Sequence, residues 1–137
     1  EITTRLVGSE MCIRDSYYAG LQKYKMASFH LHQAAENYLR TIPLVYILYG
    51  YKDHALEILM DRCKTHTLQL VSVFPRNTEE ERRLFNLLQD AYVQARYNKD
   101  FVVTKTDIDA LIPRLELMRD ITEKVCCDRI AYYERQS

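Results

Sequence analysis

The sequence predicts an all-α fold, an antiparallel bundle of four to five helices whose first helix is truncated. Apolar residues recur at helical spacing along most of the chain. Only three glycines and three prolines occur among 137 residues, too few for the many tight turns of an all-β fold. Without its first sixteen residues the chain still has about 120, enough for one domain with a single core.

The first sixteen residues lack the hydrophobic period of the rest. Residues 11–15, MCIRD, can be encoded by the end sequence of a transposon-based sequencing adapter, and residues 6–10, LVGSE, fit the adapter stem before it. We therefore expect residues 1–16 to be translated adapter, which carries no information about the fold. Residues 17–137 are then an N-terminally truncated domain, and the chain is a fragment.

A long core helix is predicted from Leu21 to about Leu48, because its apolar residues share one helical face. Pro43 predicts a kink or break near Ile42. Gly50 is predicted to end this helix, and Asp53 is predicted to cap the next one, from His54 to about Leu70. The buried face of the long helix is predicted to hold Ala27, Leu31, Ala34, Ala35, Tyr38, Ile42 and Val45.

Two more helices follow. Thr78 and Glu81 have the spacing of a capping box. The helix that they begin has an apolar stripe of Leu84, Leu88, Ala91, Tyr92 and Ala95. Thr106 is predicted to open the last helix. Pro113 would then lie beyond the first turn, where proline is best tolerated, so a start near Leu111 is the alternative. The residues predicted to face inward from this helix are Ile108, Leu111, Ile112, Leu115, Met118 and Val125.

Composition excludes several function classes. Residues 1–16 hold two basic and three acidic residues, which leaves 17 basic and 16 acidic in residues 17–137, so bulk charge does not demand nucleic acid or a membrane. No apolar run approaches the roughly 18 residues of a membrane span. Cys63, Cys126 and Cys127 fit neither a disulfide framework nor metal-ligand spacing. A cytoplasmic domain without metal or cofactor is expected.

Residues 25–41, KMASFHLHQAAENYLRT, resemble the signature helix of HEPN domains, which are small helical bundles. The resemblance continues through GYKDHALEIL, FPRNTEEERRLFNLLQDAYVQARY and DFVVTKTDIDAL, and covers Tyr17 to about Glu123. More closely, the chain resembles the C-terminal domain of bacterial two-domain proteins that begin with a nucleotidyltransferase. This resemblance implies a nucleotidyltransferase partner, fused upstream or separate, a nucleotide or RNA ligand, and a homodimer.

Among HEPN domains, which this chain resembles, those that are ribonucleases carry an Arg, four to six intervening residues, and then a His, which act together on the RNA backbone. The nearest match is Arg62 and His66, with only three residues between them and no later His. We therefore expect no catalytic residues and no RNA cleavage.

His32, Glu36 and Arg40 follow one another at steps of four residues, so they lie along one side of the long helix. Arg40 could contact phosphate and His32 a base or ribose; alternatively the three are exposed charge pairs, or His32 and Glu36 form a buried hydrogen bond. His30 points away from His32, so the two are not a metal pair.

Two further places are candidates for nucleotide contact. His54 lies at a predicted helix N-terminus, where it could hold phosphate together with Lys52 or simply cap and pack. Arg96 and Tyr97 combine a cation with a stacking ring, although Arg96 could equally close its helix and fix the next loop.

Three function classes follow. The first is a noncatalytic module that binds a nucleotide or RNA, or positions substrate for a nucleotidyltransferase domain. The second is an RNase toxin of a toxin-antitoxin pair, which would need a catalytic His that the sequence lacks. The third is a dimerisation scaffold without ligand, favoured if the residues His32, Glu36 and Arg40 prove buried.

Overall fold

A computed structural model of the chain describes residues 13–136, with side chains from Gly20 onward. Four helices form in this range and no strand does: α1 (Ile13–Ile47), α2 (Leu56–Lys64), α3 (Glu79–Tyr97) and α4 (Lys105–Gln136). The predicted all-α bundle is therefore confirmed. Most of the proposed adapter segment lies outside the described residues, and its boundary at residue 16 stays a prediction.

Helix α1 is the centre of the bundle, because α2, α3 and α4 each pack against it. Its buried face follows the predicted stripe, except that Leu39 is also fully buried and that Ala34, Tyr38 and Val45 are only partly buried. Burying a Leu or Ile side chain contributes about 1.5–3 kcal/mol. The fully buried apolar residues of α1 are Ala27, Leu31, Ala35, Leu39 and Ile42.

Pro43 does not break α1, which continues to Ile47. A proline at position 43 cannot donate the helical hydrogen bond to the carbonyl four residues earlier, that of Leu39. The Cys63 thiol donates to this same carbonyl at 3.1 Å. Burial raises the pKa of Cys63 to about 12, with a smaller contribution from Cys126, so the group stays a protonated donor. The thiol thus satisfies an acceptor that the proline leaves free.

Helix α2 differs most from the prediction. It begins at Leu56 and ends at Lys64, and its N-cap is Ala55, without a side-chain cap. The predicted cap at Asp53 and the predicted span from His54 to Leu70 are both wrong. Residues 65–74 form turns instead. Leu70, Val73 and Phe74 are nevertheless buried in the core. The apolar residues of these turns therefore have the pattern expected of a longer helix.

The two later helices begin at threonine caps. Thr78 and Glu81 form the predicted capping box of α3. Helix α4 begins at Lys105, earlier than the predicted Thr106 or Leu111. Its start is fixed by a reciprocal pair: Thr104 Oγ1 accepts from the Asp107 amide, and an Asp107 carboxylate oxygen accepts from the Thr104 amide.

Helix α4 runs alongside α1 in the same direction, so the antiparallel arrangement predicted for the bundle does not hold for this pair. Lys105 at its start is close enough to Tyr24 for an electrostatic interaction. Near its end, the Tyr133 hydroxyl is 3.1 Å from the Val45 carbonyl and 2.9 Å from the Tyr46 carbonyl. These carbonyls belong to the last turn of α1, where the backbone carbonyls have no helical N–H group to accept from. Tyr133 thus completes the C-terminal end of α1.

Candidate functional site

The three polar residues of α1 face the protein rather than solvent. His32 and Glu36 are 0% and 1% exposed, and the Arg40 side chain is 26% exposed. They lie beneath the segment that carries Asp53 and His54, and His32 also contacts Tyr92 of α3. Of the alternatives open from sequence, the structure shows a buried polar network that holds this segment against α1.

Glu36 is the hub of this network. One of its carboxylate oxygens lies 2.8 Å from His54 Nδ1, and the other lies 3.3 Å from an Arg40 Nη. Arg40 also donates to the Asp53 carbonyl at 2.6 Å. A buried carboxylate requires such partners, because an unpaired charge in the interior is costly.

His32 is a neutral, structural member of the network. Burial lowers its pKa, and the nearby Glu36 opposes this only in part. Its Nε2 lies 3.0 Å from the His54 carbonyl and must carry the proton, since a carbonyl only accepts. Nδ1 is then unprotonated and accepts from Gln33 at 3.4 Å. The 3.6 Å approach of Nδ1 to Glu36 is therefore not an ion pair.

His54 links the buried network to the surface. Its side chain is half exposed, and Nδ1 must donate to Glu36, because a carboxylate offers only acceptors. Nδ1 therefore cannot also accept from Arg40, which lies 3.3 Å away. In the neutral ring this arrangement leaves the Nε2 lone pair free. The expected phosphate site with Lys52 at a helix N-terminus is not formed, because α2 begins only at Leu56.

The His54 ring stacks on Tyr92 of α3. The ring centroids are 4.3 Å apart and the planes differ by 14°. The Tyr92 hydroxyl lies 3.2 Å from His54 Nε2. Because the rings are nearly parallel, this oxygen lies over the imidazole face and not in its plane, so the contact is stacking and not a hydrogen bond to the lone pair.

Arg96 and Tyr97 come together at the end of α3, as their adjacency predicts. The Arg96 guanidinium carbon lies 5.1 Å from the Phe29 ring centroid, 4.4 Å from that of Tyr92 and 5.0 Å from that of Tyr97. Its Nε donates to the Tyr92 carbonyl at 2.8 Å, which holds the guanidinium against its own helix. Tyr97 is 75% exposed. We call Phe29, His54, Tyr92, Arg96 and Tyr97 the aromatic–arginine surface.

An open pocket of about 560 Å³ adjoins this surface, within the range of small-ligand sites. Sequence reasoning assigned Tyr92 to the core stripe and did not select Phe29 or Asp90. The four-residue step from Tyr92 to Arg96 was the available signal, since such residues are neighbours on a helix. The pocket is lined by His54, Ala55, Gln89, Asp90, Tyr92, Val93 and Gln94.

Arg62 and His66, the nearest match to the nuclease motif, lie away from this surface and their side chains do not come together. The Arg62 guanidinium lies over the Tyr51 ring at 4.6 Å and 4.0 Å from Asp53. His66 stacks on Tyr46, with centroids 4.9 Å apart. Each side chain is held by a different aromatic ring. Across the described part of the chain, no three His, Cys, Asp or Glu side chains converge as a metal site.

The family model of the HEPN domain matches residues 14–125. The chain belongs to the HEPN family. This HEPN domain is therefore a module of a family associated with nucleotides and RNA. A search of the curated proteins finds no match to the chain. None of the four helices within residues 13–136 has both the length and the apolar character needed to cross a membrane.

Proposed function

We propose that this HEPN domain binds a nucleotide or single-stranded RNA on the aromatic–arginine surface, without catalysing a reaction. The observation that carries the proposal is the Arg96 guanidinium, which lies over three aromatic rings beside an open pocket. Base–aromatic stacking contributes about 1–3 kcal/mol per base. A guanidinium adds charge and planar hydrogen bonding for phosphate.

The polar network positions the site and does not touch ligand. His32 and Glu36 are buried, and Arg40 is committed to Glu36 and the Asp53 carbonyl. Together they fix the segment that carries His54. The six candidates from sequence thus divide into positioning residues on α1 and three surface residues, His54, Arg96 and Tyr97.

We further propose that the domain serves a nucleotidyltransferase domain, fused upstream or separate, by positioning its substrate, and that it acts as a bacterial, cytoplasmic homodimer. The support is the resemblance of the sequence to nucleotidyltransferase-associated HEPN domains.

A ligand-free dimerisation scaffold is the second candidate, and the burial of His32 and Glu36 favours it. In that case the network would serve only stability. An RNase toxin has no comparable support, because Arg62 and His66 do not face a common point.

Binding measurements separate the candidates. Fluorescence anisotropy with a labelled single-stranded RNA, and calorimetry with nucleoside monophosphates, are carried out on the full chain and on Arg96→Gln and Tyr97→Ala. We expect each substitution to weaken binding about tenfold, the loss of one stacked base or charged contact. Matched controls are Arg119→Gln and Tyr49→Ala, which change exposed residues elsewhere. No binding by the unaltered chain, or equal losses in controls and site variants, would contradict the proposal.

A further inference from the structure

Lys25 of α1 is a buried cation that the chain does not pair. The residue is only 7% exposed, and lysines are almost never so buried unless they are paired. The Ser28 hydroxyl donates to the Lys25 backbone carbonyl at 2.6 Å. Among residues 20–136, however, the Lys25 ammonium contacts neither a carboxylate nor another acceptor. Because an unpaired charge in a buried position is costly, this position favours a negative group from outside the chain.

The packing of α1 against α3 places Lys25 next to the aromatic–arginine surface. His32 lies against Tyr92, with ring centroids 5.2 Å apart. Phe29, which is earlier on α1, lies 5.1 Å from the guanidinium of Arg96, which is later on α3, so the two helices run in opposite directions. Lys25 precedes Phe29 by four residues, which places both on one side of α1 with Cβ atoms about 5–6 Å apart. Lys25 therefore lies one step beyond the level of Arg96.

Two cations thus border the same surface without a carboxylate. The Arg96 Nε is used by the Tyr92 carbonyl, and within the described residues no acidic side chain pairs with this guanidinium. Its Nη groups remain for a phosphate. One turn of α-helix, about 5.4 Å, separates Lys25 from Phe29, a step of the same order as that between adjacent phosphate groups of one ligand. A ligand with a single phosphate would neutralise only one of the two charges.

We propose that Lys25 binds a second phosphate group of the ligand, next to the phosphate that Arg96 contacts. The inference rests on the proposed function and adds the ligand class. The site then prefers a ligand with two adjacent phosphates to a nucleoside monophosphate. A nucleoside diphosphate and a dinucleotide step of single-stranded RNA both supply this chemistry.

The test compares ligands that differ in their number of phosphates. The affinities of AMP, ADP and the 5′-phosphorylated dinucleotide pApA are measured by calorimetry on the full chain, without divalent cations. We expect ADP, pApA or both to bind about tenfold more tightly than AMP, the gain expected from one charge-assisted contact. A gain with ADP identifies a diphosphate, and a gain with pApA alone identifies an RNA strand.

Lys25→Met separates the ammonium from the rest of the side chain, because it keeps an unbranched apolar stem and removes the charge. It should bring the gain of the second phosphate to within about twofold and leave AMP binding almost unchanged. Lys25→Arg should restore the gain. Lys124→Met, which removes an exposed ammonium of α4, should change none of these affinities.

Two further readouts distinguish a phosphate contact from a structural role. In Lys25→Met the slope of the logarithm of the affinity against that of the salt concentration should fall by about one for the preferred ligand. The midpoint of urea unfolding without ligand should not fall, since an unpaired charge is removed. A lower midpoint would show that the ammonium is satisfied within the chain and would overturn the inference.

The outcomes separate this inference from the proposed function. Equal binding of AMP, ADP and pApA, or a gain that survives Lys25→Met, overturns the inference and leaves nucleotide binding standing. Absence of binding by all three ligands overturns both. Should Lys25→Met lose its fold, Lys25→Gln makes the same test with a polar side chain and should also lose the gain.

Discussion

Replacing Glu36 by glutamine tests the buried network directly. The change preserves the shape of the side chain but removes its charge. The carboxylate now receives two charged or polar donors, His54 Nδ1 at 2.8 Å and Arg40 at 3.3 Å. A glutamine can accept one of these bonds and must turn its amide NH₂ toward the other partner.

The magnitude follows from the two bonds. Hydrogen bonds to charged groups contribute about 1.5–3 kcal/mol, and neutral ones about 0.5–1.5 kcal/mol. Losing the charge therefore costs about 1 kcal/mol per bond. His54 is half exposed and Arg40 is 26% exposed, so solvent screens part of each interaction. We expect Glu36→Gln to lower the free energy of unfolding by about 1–2 kcal/mol.

The same substitution should change the His54 tautomer. With the glutamine oxygen accepting from Arg40, its NH₂ faces His54 Nδ1, which must become the acceptor. The proton then moves to Nε2, and ¹⁵N NMR of the imidazole detects this exchange. Such a change would convert the free acceptor of the site into a donor.

Urea unfolding of Glu36→Gln and of the control Glu116→Gln, an exposed residue of α4, measures the stability effect. The control should remain within about 0.5 kcal/mol of the unaltered chain. A loss below about 0.5 kcal/mol for Glu36→Gln, together with an unchanged His54 tautomer, would refute the network as described.

Three further predictions concern titration, reactivity and capping. Burial lowers the pKa of His32 below its ordinary 6.5, so as the pH falls the unfolded chain binds a proton before the folded chain does. The free energy of unfolding is therefore highest above about pH 6.5 and decreases below it. Urea unfolding from pH 5 to 8 should show a smaller decrease for His32→Asn than for the unaltered chain. A thiol reagent at pH 8 should react with exposed Cys127 but not with Cys63, whose burial raises its pKa to about 12. The fast phase should therefore lose one equivalent of thiol in Cys127→Ser and none in Cys63→Ser. Thr78→Ala should cost about 1 kcal/mol of unfolding free energy by removing the α3 cap, whereas Thr106→Ala should change little; equal losses would argue against the capping role.

Local patterns predicted most of the fold. Five of the six α4 residues predicted to face inward are fully buried, because a four-residue and three-residue spacing places them on one side of a helix. The Thr78 cap was likewise readable from a spacing of three residues. These signals involve neighbours in sequence, and no tertiary contact is needed to interpret them.

The second helix could not be delimited in this way. Its N-cap, Ala55, makes no side-chain bond and so gives no recognisable start. Beyond Lys64, Leu70 and Val73 enter the core from turns, and their three-residue spacing is also that of a helix. Their burial depends on packing against distant parts of the chain, which periodicity does not report.

The site shows the same limit. Steps of four residues place His32, Glu36 and Arg40 on one side of α1, but a surface ridge and a buried network have the same spacing. The segment that covers them decides between the two. The contact between His54 and Tyr92 joins residues 38 positions apart, and only the packing of α3 against α1 creates it.

An NMR titration of the full, isotope-labelled chain with AMP tests the central claim most directly. If the aromatic–arginine surface binds nucleotides, the resonances of His54, Tyr92, Arg96 and Tyr97 will shift together along one saturable curve. If AMP shifts no resonance, or shifts only residues such as Tyr51 and Arg62 around the other polar pocket, the claim that this surface is the nucleotide site is contradicted.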